Sequence, residues 1–224
     1  NVDERYLREW LSSNAAMGYI GYDAEQDEFA LSPEQAALFS HEGEPTCMQG
    51  FFQAVVGQFA THELAVDTFK TGEGRAWDDH HSCCFCGTDR FFRTGYAASL
   101  TSDWIPALTG VEAKLQAGAK IADVGCGLGS SSILMASAYP NSTVCGFDYH
   151  LSSIEKAMQS ADREKLTNIS FSQVLAKELP GNDYDLVCIF DALHDMGDPV
   201  GAAKKIKSAL KPGGTFMVVE PLAG

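Results

Sequence analysis

Basic residues are scarce in this chain. Its 224 residues carry 16 Lys and Arg against 30 Asp and Glu, for a net charge of −14. The shortage is uneven: residues 1–110 hold 17 acids and 6 bases, while residues 111–224 hold 13 and 10. A phosphate-binding surface needs the opposite sign, so nucleic acid is not an expected partner of the first half. There is no apolar run of about 18 residues and no secretory-signal pattern, so neither a membrane span nor a membrane partner is expected. The seven cysteines are odd in number and scattered at 47, 83, 84, 86, 126, 145 and 188, which gives no disulfide framework. Those at 126, 145 and 188 lie in apolar contexts and read as small buried hydrophobes. A cytoplasmic location with free thiols is the expectation. The chain opens directly in an amphipathic segment and stops just after a strand pattern, as if trimmed at both ends.

What is present is a globular composition, 45% hydrophobic and 10% aromatic. The length suits one large domain or two small ones. Tyr6–Leu11 has a helical apolar face, and the short runs at 18–23 and 28–31 read as a hairpin across Ala24–Asp27. Ser32-Pro33 then marks a helix start. A helix followed by a hairpin is the tail of a winged helix-turn-helix, expected over residues 1–45 as a packing or homodimerisation module. DNA binding is disfavoured because the wing carries Asp23, Glu25, Asp27 and Glu28 and no base. Residues 46–110 read as a helical linker or cap, with one long or two short helices over 51–70 and another stretch carrying Phe91, Phe92, Tyr96, Leu100, Trp104, Ile105 and Leu108.

From Val111 onward strands and helices alternate. Strands are predicted at 119–124, 143–148, 169–174, 185–190 and 214–220, and helices at about 130–139, 152–162 and 199–210, with Lys211-Pro212-Gly213-Gly214 ending the last helix. Such alternation predicts an α/β fold with a doubly wound, mainly parallel sheet, whose ligands sit beyond the carboxyl ends of the strands. The turn Gly125-Cys126-Gly127-Leu128-Gly129 after the first of these strands is where a cofactor should lie. A dinucleotide fingerprint would be G-x-G-x-x-G with an acid about 20 residues on. Here Ser130 takes the last glycine's place, while Asp148, followed by Tyr149, closes the second strand and suits a ribose. A ribose contact alone leaves two cofactors open. Asp123, two residues before the first glycine, would repel a pyrophosphate but suits a cationic amino group.

At Asp123-Val124-Gly125-Cys126-Gly127-Leu128-Gly129 the chain resembles the class I S-adenosylmethionine-dependent methyltransferases, and the resemblance covers residues 111–224. It implies a Rossmann-like methyltransferase core, S-adenosyl-L-methionine as cofactor, and Asp123, Gly125, Cys126, Gly127, Gly129, Asp148 and Tyr149 at the site. Leu175 stands where many members place an acid for the adenine amino group, a departure that leaves the Ala176 backbone for that contact. Phe190 and Asp191 are implied beside the cofactor's amino-acid end; apart from the resemblance, the segment before the core offers Tyr96 or Arg93 to the cofactor's carboxylate. The fold of this family adds two strands after the fifth, which this chain does not show.

Leu193-His194-Asp195-Met196-Gly197-Asp198-Pro199 is similar to the segment after the fourth strand in small-molecule O-methyltransferases with an N-terminal winged-helix domain. That resemblance implies His194 as general base toward an acceptor hydroxyl. The alternative is a histidine that packs on the cofactor or caps the next helix. Asp195 is expected to orient the loop and Asp198 to cap the helix. His80-His81, the run Gly87–Tyr96 and Trp104–Leu108 match a group of winged-helix-bearing methyltransferases that brings no substrate with it.

His80-His81-Ser82-Cys83-Cys84-Phe85-Cys86 invites a zinc site, but adjacent cysteines are hard to place on one ion and no second ligand pair follows. No metal and no methyl-accepting thiol is expected there. The segment reads instead as a loop covering the cofactor and shaping the acceptor pocket. The expected function is methyl transfer to a small molecule; the alternatives are a cofactor-binding regulatory or non-catalytic winged-helix protein, and a nicotinamide-dependent oxidoreductase, which Asp123 opposes.

Overall fold

The computed structural model describes residues 2–222. It opens with α1 (Glu4–Ala16), capped by the Asp3 carboxylate, which accepts from the amides of Arg5 and Tyr6. β1 (Gly21–Asp23) and β2 (Glu28–Ala30) form the expected antiparallel hairpin. α2 (Pro33–Phe39) starts at a reciprocal capping box between Ser32 and Gln35. The apolar stretch over 51–70 resolves into two helices, α3 (Gln49–Ala60) and α4 (His62–Thr71). A single 3-10 turn at Trp77–Asp79 then precedes α5 (Ser82–Ser99).

Here the structure corrects the expected loop: Cys83, Cys84 and Cys86 lie within the first turns of α5. Their helix starts on an unusual cap, the imidazole Nδ1 of His81, which accepts from the Cys83 amide at 3.2 Å. None of the usual capping residues marks that position, so the pattern reads as coil.

α3 and α5 meet backbone to backbone. A Cβ on Gly50 would lie 2.3 Å from the Phe91 nitrogen, one on Gly57 2.5 Å from the Cys84 nitrogen, and one on Gly87 2.2 Å from the Ala54 nitrogen. Only glycine permits that approach. The outer helices behave differently: α1, α2 and α4 bury no residue, Trp10 and Phe69 on them stand exposed, and Phe59 near the end of α3 is exposed as well.

α6 (Val111–Ala117) leads into the sheet, built from β3 (Lys120–Val124), β4 (Thr143–Asp148), β5 (Ile169–Gln173), β6 (Tyr184–Phe190) and β7 (Leu210–Val219). The connecting helices are α7 (Ser130–Ala138), α8 (Leu151–Arg163) and α9 (Pro199–Ala209). All strand pairs are parallel, in the order β5-β4-β3-β6-β7. Successive residues alternate between two cores. Ile121, Val144, Leu186 and Cys188 pack against α6, α7 and Leu100–Ile105, while Ala122, Val124, Val187 and Ile189 pack against α9 and Leu179. Asp198 caps α9 as expected, accepting from the Gly201 amide at 2.8 Å.

One boundary differs. Lys211-Pro212-Gly213-Gly214 is not a free turn but part of β7, at a register irregularity opposite Tyr184–Leu186. β7 is the sheet's edge among the described residues, where a proline without an amide proton is tolerated. No helix among those residues is long and apolar enough to cross a membrane.

The α3–α5 contact predicts a contrast on one helix. Gly87→Ala must push two backbones apart, an overpacking cost of about 1–3 kcal/mol, whereas a Cβ on Gly95 meets nothing within 4 Å. Thermal melts followed by circular dichroism should show a clear loss for Gly87→Ala and none, or a small gain, for Gly95→Ala.

Candidate active site

β3 lies between β4 and β6, where the sheet order reverses, and the crevice at that switch point opens beyond the carboxyl ends of the strands. The glycine turn sits at its rim with Gly125, Gly127 and Gly129 all left-handed, at φ +76°, +52° and +84°. They do different work. A Cβ on Gly125 would strike Ala192 at 2.8 Å, and one on Gly129 would strike Ala157 at 2.8 Å and Phe171 at 2.9 Å. A Cβ on Gly127 would meet nothing within 4 Å. The outer glycines are therefore demanded by packing, while Gly127 faces open space. Cys126 is buried beneath the turn, its amide and that of Gly125 donating to the Phe147 carbonyl at 3.0 and 2.7 Å.

Two carboxylates hold this turn. Asp148 accepts from the Gly127 amide through Oδ2 (2.9 Å) and from the His150 amide through Oδ1 (2.8 Å). Burial raises its pKa, and those amides oppose the rise. Asp123 is fully buried; the hydroxyls of Ser131 and Ser132 both donate to its Oδ2 at 2.6 Å. Its Oδ1 has no partner among the described residues. Burial pushes the Asp123 carboxyl up to about 6 against the pull of the two serines.

The remaining expected residues lie at or just beyond the ends of β4, β5 and β6 and on α5. Tyr149 donates from its hydroxyl to Asp78 Oδ1 (3.4 Å) and accepts from the Asp78 amide (3.1 Å), tying the Trp77–Asp79 turn to the end of β4. A cavity of about 450 Å³ lies there, lined by Asp78, Tyr149, His150, Glu155 and Gln173 among others. Leu175 is exposed, and the half-buried Ala176 begins a 3-10 turn. Phe190 is buried, its ring centroid 5.3 Å from that of Tyr96. Burial raises the Tyr96 phenol, helped by the fields of Asp123, Asp191 and Asp89. Asp191 holds a left-handed backbone (φ +51°), a strained conformation for a non-glycine residue. Arg93 is turned toward acids instead, 3.8 Å from both Glu42 and Asp89.

His194 stands exposed on the loop after β6, and its Nδ1 lies 2.5 Å from Glu220 Oε2. Glu220 Oε1 accepts from the amides of Ala192 and Leu193 at 3.1 and 2.7 Å, so one carboxylate organises the whole loop. The hydrogen bond that His194 donates to the Glu220 carboxylate raises the His194 pKa, with Asp195 and Asp191 adding to the rise. Burial works against the Glu220 carboxylate, yet His194 and the two amides keep it below its ordinary range. Side-chain atoms of Asp191, His194 and Glu220 all lie within 4.8 Å of one another, and of the three only His194 and Glu220 are hydrogen-bonded to each other. The sequence does not single out Glu220 or Asp89. Glu220 carries the same signal as Asp123 and Asp148, an acid closing an apolar strand; Asp89 carries none.

Comparison with known proteins separates the two halves. Residues 115–223 match the family model of a methyltransferase domain, and residues 1–41 match an Rv2258c-like winged HTH domain. The chain joins a winged helix-turn-helix to a methyltransferase domain. Among curated relatives, the sterol 24-C-methyltransferase of Aspergillus fumigatus is 29% identical over 71% of this chain and 40% of its own length. The ubiquinone biosynthesis O-methyltransferase of Acinetobacter baylyi is 32% identical over 44% of this chain and 42% of its own. The chain thus spans about two fifths of the length of these relatives. Among solved structures, the mitomycin 7-O-methyltransferase MmcR superposes with a TM-score of 0.71 over 100% of this chain and 68% of its own, at 20% identity. A Nostoc punctiforme PCC 73102 protein assigned to the O-methyltransferases superposes at 0.69 over 97% of this chain and 65% of its own, at 19% identity. At those identities the likeness is one of fold.

The methyltransferase domain fits the cofactor of its class. The unpartnered, buried Asp123 Oδ1 calls for a donor, and the open space over Gly127 is where a Cβ would intrude on a ligand. Gly127→Ala should therefore cost about 1 kcal/mol of backbone strain while abolishing calorimetric binding of S-adenosylhomocysteine. Gly129→Ala should instead lower the melting temperature markedly before any ligand is added, through Ala157 and Phe171.

Proposed function

We propose that this chain transfers a methyl group from S-adenosylmethionine to the hydroxyl of a small-molecule acceptor, with His194 as general base. The observation carrying it is the His194–Glu220 pair, which joins the loop after β6 to the end of β7 beside the glycine turn. The bound cofactor supplies an electrophilic methyl on a sulfonium centre. Asp148 and Tyr149 take its ribose, Leu175 and Ala176 border the adenine, and Tyr96, Phe190 and Asp191 border its amino-acid end. Glu220 accepts from His194 Nδ1–H, which fixes the tautomer and leaves the Nε2 lone pair free. The acceptor hydroxyl gives its proton to Nε2 as its oxygen becomes the nucleophile, and Glu220 stabilises the imidazolium that forms. Asp195 Oδ1, 3.5 Å from Nε2, adds to that stabilisation from the loop.

Within this proposal residues 1–45 are the winged-helix module, 46–110 the helical cap and 111–224 the catalytic core. The wing's acids, with Arg8 Nη1 bound to Asp27 at 2.8 Å, favour a packing role over DNA reading. The exposed apolar side chains of α1, α3 and α4 fit a second copy of the chain. Sedimentation equilibrium should find a dimer that Phe59→Glu dissociates.

The pH dependence has a definite sign. A raised His194 pKa means the base form appears only at higher pH, so turnover should climb through a value above the ordinary imidazole 6.5. Glu220→Gln should move that limb, and the NMR titration of His194, to lower pH. His194→Ala should cut turnover by roughly 100-fold or more and leave S-adenosylhomocysteine affinity unchanged. A His194→Ala variant that turns over normally would reduce His194 to packing.

A further inference from the structure

We propose that Asp89, carried by α5 outside the matched methyltransferase domain, receives the α-ammonium group of the cofactor's amino-acid end; this rests on the methyltransferase proposal above. α5 presents two opposite faces. Cys84, Gly87 and Phe91 meet α3, while Asp89, Arg93 and Tyr96, at i, i+4 and i+7, lie on the other side. That second face spans the crevice: Asp89 Oδ1 accepts from the Ser130 hydroxyl at 2.6 Å at the first residue of α7, and Tyr96 packs on Phe190 at the end of β6.

The Ser130 bond occupies one oxygen of Asp89. The other, Oδ2, has among the described residues only Arg93 Nη1 at 3.8 Å, too far for a hydrogen bond. An ionised carboxylate offers about four lone-pair sites, so Asp89 keeps most of its accepting capacity at the mouth of the glycine turn. α7 has no acid in its first turn and no side-chain cap of its own. Its positive end is thus open to the ligand's carboxylate, while Asp89 and the unpartnered Asp123 Oδ1 offer acceptors for the ammonium beside it. The three carboxylates at this end, Asp89, Asp123 and Asp191, all have pKa values raised first by burial. A cation there offsets the burial of all three.

Asp89→Asn separates recognition from docking, because an amide oxygen still accepts from Ser130. Calorimetry on the full chain would compare S-adenosylhomocysteine, its decarboxylated analogue S-adenosyl-3-thiopropylamine, which keeps the ammonium, and 5′-methylthioadenosine, which lacks the amino-acid end. The expected result is a loss of about tenfold or more for both ammonium-bearing ligands, no change for methylthioadenosine, and an unchanged melting temperature. Equal losses for all three ligands, or none for the ammonium-bearing pair, would overturn the assignment. A wild-type chain that binds no S-adenosylhomocysteine would overturn the methyltransferase proposal, and this one with it.

Discussion

The carboxylate of Asp123 is the constraint on which the site depends. A fully buried acid is costly unless it is hydrogen-bonded, and here the hydroxyls of two consecutive residues, Ser131 and Ser132, converge on one oxygen. That convergence draws the first turn of α7 over the end of β3 and leaves the five residues between as a loop with no slack. Asp148, at the end of the neighbouring strand, holds the same loop from the other side through the Gly127 amide. The glycine turn is therefore strung between carboxylates on adjacent strands, and its left-handed glycines are the only residues that can make the path without large strain.

The acids that hold the turn also set its electrostatics. Asp89, Asp123, Asp148 and Asp191 lie about it, while the Arg93 guanidinium on α5 stands 3.8 Å from both Glu42 and Asp89, between two acids. An anionic pyrophosphate placed there would meet several buried or half-buried carboxylates; a sulfonium with an ammonium would relieve them. The preference rests on field as well as on the turn's shape, because a helix N-terminus alone would favour either an anion or the carboxylate end of an amino acid.

Much of this was legible in the sequence where a residue's role is decided locally. The strands β3, β4 and β6 are buried on both faces, so their apolar runs stand out, and the acids at their ends follow. Ser32 and Asp198 cap the helices that their positions suggest. The failures have physical causes. α5 begins on a histidine cap, so Cys83–Cys86 reads as loop. β7 runs through a proline and two glycines that look like a stop, because an edge strand can absorb an irregularity that a central one cannot. Asp89 escapes notice because its partner, Ser130, lies 41 residues away and the contact exists only once α5 docks on α7.

That docking explains why the glycines of α3 and α5 matter to a site they never touch. Helices separated by long side chains can slide past one another by repacking rotamers, whereas a contact between backbones has no side chain to adjust. With Gly50, Gly57 and Gly87 in register against Phe91, Cys84 and Ala54, the axial position of α5 is set to within a fraction of a residue. Its far face then delivers Asp89 and Tyr96 to fixed places over the crevice. The segment matching the methyltransferase family begins at residue 115, so both residues come from outside it. In the proposed site, the domain that carries the glycine turn supplies the floor and the helical region before it the wall.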